Sequence, residues 1–116
     1  MAITLYGISN CDTVKKARKW LDTNSVIYAF HDFRKDGIDT GMVDSFLDQV
    51  GEEMLINKRG LSWRKLSEKQ KQLDSRKNTI KLLIATPTLI KRPVLDINGN
   101  YTIGFSEELY KGLDFD

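Results

Sequence analysis

The chain of 116 residues holds one cysteine, one histidine and two prolines. A single thiol excludes an intramolecular disulfide, and Cys11 with His31 falls short of the ligand count of a Cys/His zinc site. Any Ser-His-Asp hydrolysis would have to use His31 as its base, and no Gly-x-Ser-x-Gly elbow is present. No apolar run approaches the ~20 residues of a membrane span. The opening MAITLYGISN lacks both the basic start and the continuous apolar stretch of a signal peptide. Neither sign of charge dominates: Lys+Arg 18 against Asp+Glu 16 leaves +2. That balance argues against a direct nucleic-acid partner, although a pI near 8.7 leaves room for a local basic patch. Together these absences place a lone thiol in a reducing cytoplasm, in a monomer with no membrane partner.

What is present suits one compact domain. A chain of this size buries about two thirds of the surface it exposes when unfolded, enough to dispense with a disulfide or metal staple. With 29% charged and 41% hydrophobic residues it reads as an ordered globule. Ile3-Thr4-Leu5-Tyr6 alternates apolar with polar and stops at Gly7, a first strand. Val14, Ala17, Trp20 and Leu21 fall on one face of a helix from Thr13 to about Asp22, with Lys15, Lys16, Arg18 and Lys19 opposite. Val26 to Phe30 is almost continuously apolar, as in a strand buried on both faces. Strand, helix and strand in about thirty residues make a βαβ unit.

A helical insertion follows at about 39–86. Asp39 or Thr40 can cap a helix carrying Met42, Val43, Phe46, Leu47 and Val50. Met54-Leu55-Ile56 reads as a short apolar turn leading to Asn57-Lys58-Arg59-Gly60. Ser62 or Ser67 can open a polar helical stretch through Leu73, and Asn78 or Thr79 can cap another with Ile80, Leu83 and Ile84. Pro87 and Pro93 bracket an extended stretch. Val94 to Ile97, Asn98-Gly99, then Tyr101 to Ile103 predicts a hairpin on a type I′ turn. Ser106, followed by Glu107 and Glu108, caps a last helix through Leu113. The resulting fold is α/β: a four-stranded mixed sheet with flanking helices.

The chemistry centres on Cys11, placed where a strand ends and a helix begins. First-turn N–H groups and the helix dipole favour an anion there, and Lys15 and Lys16 add positive charge, so its pKa should fall below the ~8.5 of a free thiol. The bland alternative is a small, buried, inert cysteine. In Cys11-Asp12-Thr13-Val14 the place of a second thiol is held by Val14, so any redox cycle must borrow its resolving thiol from another molecule. Arg92-Pro93 offers a planar cation beside an X-Pro bond; the pattern alone reads first as a trans proline opening an edge strand next to a solvated arginine. Lys58, Arg59, Arg64 and Lys65 form a basic cluster that reads first as a solvated face and otherwise as an anion holder; His31, followed by Asp32 at the end of the second strand, reads first as a surface loop histidine and otherwise as a base.

On the residues Tyr6 to Ala17 and Ile90 to Val94, the sequence resembles the arsenate-reductase-like (ArsC) family, most of all its YffB-type branch related to the Spx regulators. The resemblance runs over essentially the whole chain and implies a thioredoxin-like fold with an added helical segment. It implies Cys11 as nucleophile, Arg92 as the arginine that holds a carboxylate or oxyanion, and a cis Pro93. It further implies a cycle with glutathione as co-substrate and no permanently bound cofactor, with Asn10, Asp12, Thr13, Lys15, Arg59 and Pro93 around the ligand. A glutaredoxin-like protein could serve as the thiol donor. Three positions depart from the arsenate-reducing pattern. Its histidine four residues before the cysteine is Gly7, one arginine falls on Asn57 with Arg59 nearby, and the last falls on Gly104. The Spx branch implies the alternative of a non-catalytic regulator docking on the RNA polymerase α subunit.

Overall fold

The computed structural model describes residues 2–115. They form two compact units, residues 2–37 with 92–115, and residues 38–91.

The first unit carries the sheet. Strand β1 (Ile3–Gly7) is followed by helix α1 (Asp12–Thr23) and strand β2 (Ala29–Asp32); later come β3 (Val94–Ile97), β4 (Asn100–Ile103) and a short terminal helix (Glu107–Lys111). The strand order is β2-β1-β3-β4. β1 pairs parallel with β2, antiparallel with β3, and β3 antiparallel with β4. This is the mixed sheet of a thioredoxin-like fold.

Period-two alternation puts Ile3, Leu5 and Gly7 on the buried face of β1. Val14, Ala17 and Leu21 at helical spacing bury one face of α1. Ile3, Leu5, Ala17, Leu21, Leu95 and Tyr110 make the core, with Trp20 edge-on to the Tyr110 ring at 5.5 Å. Asn98 (φ +53) and Gly99 (φ +88) supply the left-handed pair that a type I′ hairpin needs.

β2 departs from the expectation. The strand starts at Ala29, not Val26, and is an edge strand; Ile27 is 92% exposed. Val26, Tyr28 and Phe30 pack against the core, while Ile27, ahead of the strand, stays in solvent. Arg18 covers part of the stretch, its guanidinium carbon lying 4.1 Å from the Phe30 ring centre and its Nε donating to the Tyr28 hydroxyl at 3.2 Å.

The second unit is helical: α2 (Thr40–Leu55), α3 (Leu61–Arg64) and α4 (Arg76–Ala85), then a 3₁₀ turn at Pro87–Leu89. Val43, Phe46, Leu47, Leu55, Ile56, Ile80, Leu83, Leu89 and Ile90 are its buried hydrophobic residues. Asp39 caps α2, accepting from the Met42 N–H at 2.9 Å.

Four sequence expectations are corrected here. Met54 and Leu55 belong to α2, which resumes after a non-helical Gly51 at φ +79. The polar stretch to Leu73 is not a helix. α3 closes within four residues, and beyond it Ser67 and Gln70 exchange side-chain to backbone bonds (2.9 and 3.1 Å), a capping box with no apolar face behind it to propagate a helix. α4 starts three residues earlier than read, because Ser75 takes the cap by accepting from Asn78 N–H at 3.1 Å. The stretch between the prolines begins as the 3₁₀ turn, and extended backbone is reached at Ile90, which bridges to Ile56.

Candidate functional site

The parallel register sets Gly7 opposite Asp32, and the antiparallel register sets Tyr6 opposite Val94. The Cys11 loop, the residues after β2 and the Arg92-Pro93 pair are thereby gathered at one end of the sheet. The Arg92-Pro93 bond is cis. β3, which it precedes, is central rather than an edge strand.

Cys11 is the N-cap residue of α1, with extended backbone angles, φ −88 and ψ 126. Its N–H donates to the Ile8 carbonyl at 3.1 Å, closing a turn that presents the side chain, half-buried, at the helix N-terminus. Burial pushes the thiol up. The Val14 N–H, the Arg92 guanidinium (by hydrogen bond and by charge) and the Thr13 N–H outweigh it, so the pKa is lowered. Arg92, rather than the expected Lys15 and Lys16, is the cation among the leading causes; both lysines are exposed on α1. Arg92 lies 81 positions along the chain, and the β1–β3 pairing delivers it. Asn10, Asp12 and Thr13 are exposed around the sulfur, whereas Pro93 is buried.

Two of the departures at this site have a physical basis. A Cβ on Gly7 would meet Val14 Cγ2 at 2.7 Å. Gly104 has φ +82, a conformation that L side chains rarely adopt, and its N–H donates to the Pro93 carbonyl at 2.8 Å. Val14 itself is fully buried, so the position of a second thiol belongs to the core.

Arg59 lies in the helical unit. With Glu53, Ile56, Lys58 and Lys91 it lines a cavity of about 470 Å³. Asn57 Oδ1 accepts from the Arg59 N–H at 3.1 Å, and Arg64 donates to the Arg59 carbonyl at 3.0 Å. Lys58 pairs with Glu53 at 3.3 Å and lies 5.4 Å from the Trp63 ring centre.

His31 is packed rather than poised: it stands among the rings of Tyr6 and Phe33, and its Nε2 donates to the Gly37 carbonyl at 2.7 Å. Its neighbour Asp32, the last residue of β2 and given no role by the sequence, is buried. Burial pushes its carboxyl up, but the N–H groups of Arg34, Ser9 and Lys35 and the Ser9 hydroxyl outweigh that and lower it. An acid at the last strand position followed by Phe-Arg-Lys-Asp looks like turn chemistry, so nothing local announced a bond to the cysteine loop.

No group of His, Cys, Asp and Glu among the described residues could hold a metal ion, and no helix there is long and apolar enough to cross a membrane.

Comparison with known proteins agrees with this architecture. A protein of Haemophilus influenzae is 43% identical, covering 94% of this chain and 96% of that one. The global transcriptional regulator Spx of Streptococcus mutans is 28% identical over 91% of this chain and 78% of its own. Among solved structures, a YffB protein superposes with TM-score 0.88 at 41% identity, covering 95% of this chain and 96% of that one. An arsenate reductase (ArsC) related protein of Brucella melitensis gives 0.79 at 41% identity, covering 96% and 92%. The ArsC family matches residues 6–113, and this chain belongs to it.

Proposed function

We propose that the protein is a glutathione-dependent monothiol reductase with Cys11 as its nucleophile, working in a reducing cytoplasm. The observation that carries this reading is Cys11 standing as the N-cap of α1, its thiol lowered by the nearby Val14 N–H, the Arg92 guanidinium and the Thr13 N–H. A thiolate population at neutral pH is what disulfide exchange needs. In the proposed cycle the Cys11 thiolate attacks the glutathione sulfur of a mixed disulfide. This forms a Cys11–glutathione disulfide and expels the substrate as thiolate. A second glutathione, or a glutaredoxin-like thiol, then attacks that disulfide, regenerating Cys11 thiolate; with glutathione the product is glutathione disulfide. The net exchange turns one mixed disulfide and one glutathione thiol into one substrate thiol and one glutathione disulfide, a disulfide bond broken for each one formed. The external second thiol is required because Val14 stands in the C-x-x-C place.

Arg92 steadies the thiolate and holds a ligand carboxylate. Thr13 lends its amide; Asn10, Asp12, Lys15 and Pro93 are the remaining candidate contacts. Arsenate is a poor fit to the site, since the resemblance puts an arginine of arsenate reducers where this chain has Gly104.

The Spx relative supports one competing reading, a regulator that binds the RNA polymerase α subunit without turnover. Mass spectrometry of the reduced protein after exposure to a glutathione mixed disulfide separates the two. A single glutathione adduct on Cys11, released by excess glutathione with multiple turnovers, supports the reductase. Absence of the adduct, with equal capture of the polymerase α C-terminal domain by the wild type and Cys11→Ser, sinks it.

A further inference from the structure

The loop between β1 and α1 is too short to make a core of its own, and its geometry comes from two backbone tethers and one side chain. Phe33 N–H donates to the Gly7 carbonyl at 2.9 Å and Cys11 N–H to the Ile8 carbonyl at 3.1 Å, with Ile8 buried beneath. The side chain is Asp32, whose two carboxylate oxygens have different tasks. Oδ1 accepts from Arg34 N–H at 2.8 Å and Lys35 N–H at 3.3 Å, closing the turn after β2. Oδ2 accepts from Ser9 N–H at 3.2 Å, reaching across to the cysteine loop. The turn is locked from its far side by Asp36, which accepts from Asp32 N–H at 2.9 Å and donates its own N–H to the Asp32 carbonyl at 2.7 Å. A carboxylate this enclosed is tolerable only while its acceptors are filled, so the loop and the turn are held as one piece.

We propose that Asp32 is a positioning residue for Cys11: by gripping the Ser9 amide it fixes residues 8–10, and so keeps the sulfur at the Thr13 and Val14 amides and Arg92. The proposal rests on reading Cys11 as a thiolate nucleophile. Its action is geometric, and geometry and charge predict opposite outcomes. Removing a nearby negative charge would by itself favour the thiolate; letting the loop drift would deprive the sulfur of its donors and disfavour it.

Asp32→Asn is the selective variant. One amide oxygen still serves Arg34 and Lys35, while an NH₂ donor now faces the Ser9 donor. Ser9→Pro removes the same N–H, and the Ser9 hydroxyl with it, and leaves the carboxylate charged. The measurement is Cys11 alkylation by iodoacetamide against pH, with circular dichroism reporting the fold. The expected result is an upward-shifted midpoint in both variants and alkylation at pH 7 slowed about threefold or more.

Folded variants that keep the wild-type profile, or faster alkylation in Asp32→Asn, overturn the proposal. Should neither variant fold, amide hydrogen exchange on the unmodified protein decides: a protected Ser9 N–H supports the tether, and exchange at the free-loop rate sinks it. A wild-type midpoint at the ordinary thiol value would instead remove the nucleophile reading itself. A lowered wild-type midpoint that the variants leave unmoved removes only the role of Asp32.

Discussion

A methyl group of Val14 occupies the space that a side chain on Gly7 would need, 2.7 Å from where its Cβ would stand. The two positions are therefore one choice. The absence of a side chain at the end of β1 permits a buried β-branched residue on the first turn of α1, and that residue forbids a histidine at 7 by itself. Gly7→Ala is expected to cost about 1–3 kcal/mol by overpacking. In a Val14→Ala background the same change should cost at least about 1 kcal/mol less. Urea denaturation of the four proteins of this cycle reads the coupling directly, and strictly additive effects would show that the backbone simply shifts.

Arg92 acts on the sulfur by hydrogen bond and by charge. Arg92→Ala should raise the Cys11 alkylation midpoint and slow the reaction at pH 7 roughly 3- to 10-fold, with Arg92→Lys in between because it keeps the charge but not the planar fork. Turnover and glutathione affinity should fall together in Arg92→Ala. If both stay at wild-type values, the assignment of Arg92 as ligand holder is wrong.

The Cys11 thiol is lowered in the folded chain, which ties stability to pH in a definite direction. A group whose folded pKa is depressed contributes stability that is fully present above its unfolded value, ~8.5, and fades as pH falls through the folded one. Against Cys11→Ser as reference, the unfolding free energy of the wild type should gain from pH 6 to pH 9.5. Chemical denaturation at several pH values measures this difference, with the other titrating groups cancelling. A flat difference would mean that the sulfur is no better placed for charge than in the unfolded chain.

Gly104 has open space around a Cβ position yet a φ of +82, so substitutions there meet backbone strain without a clash. Gly104→Ala should cost on the order of 1 kcal/mol and Gly104→Asn less, since asparagine tolerates this region better. Thermal melts of the pair test the order; an arginine at 104 would bear the same strain as alanine.

Features governed by local chemistry were legible in the residues. Asn98-Gly99 fixed its hairpin, Ser106 and Asp39 their helix starts, and the spacing of Val14, Ala17 and Leu21 the buried face of α1. Cys11 at a strand-to-helix junction was readable for the same reason. What was hidden depended on the third dimension. The exposure of Ile27 follows from its lying ahead of β2, and an apolar run has the same composition before a strand as within it. The continuation of α2 past Gly51 is a tertiary preference that a glycine-centred reading opposes. Lys15 and Lys16, near in sequence, drew attention that belongs to Arg92, which only strand pairing brings to the sulfur. The bond from Ser9 to Asp32 spans 23 positions, and no spacing rule covers it.

Each compact unit contains one tryptophan: Trp20, set against Tyr110 in the sheet-bearing unit, and Trp63, beside Lys58 in the helical one. The chain thus comes with two built-in optical reporters that need no label. Trp63→Phe leaves an emission signal from the cysteine-bearing unit alone, and Trp20→Phe leaves one from the other. Following both single-tryptophan proteins through a urea gradient, beside circular dichroism of the whole, tells whether the halves melt in one cooperative step or in sequence. Trp20 lies on the same helix as Cys11, so its emission also gives a real-time trace of glutathione addition.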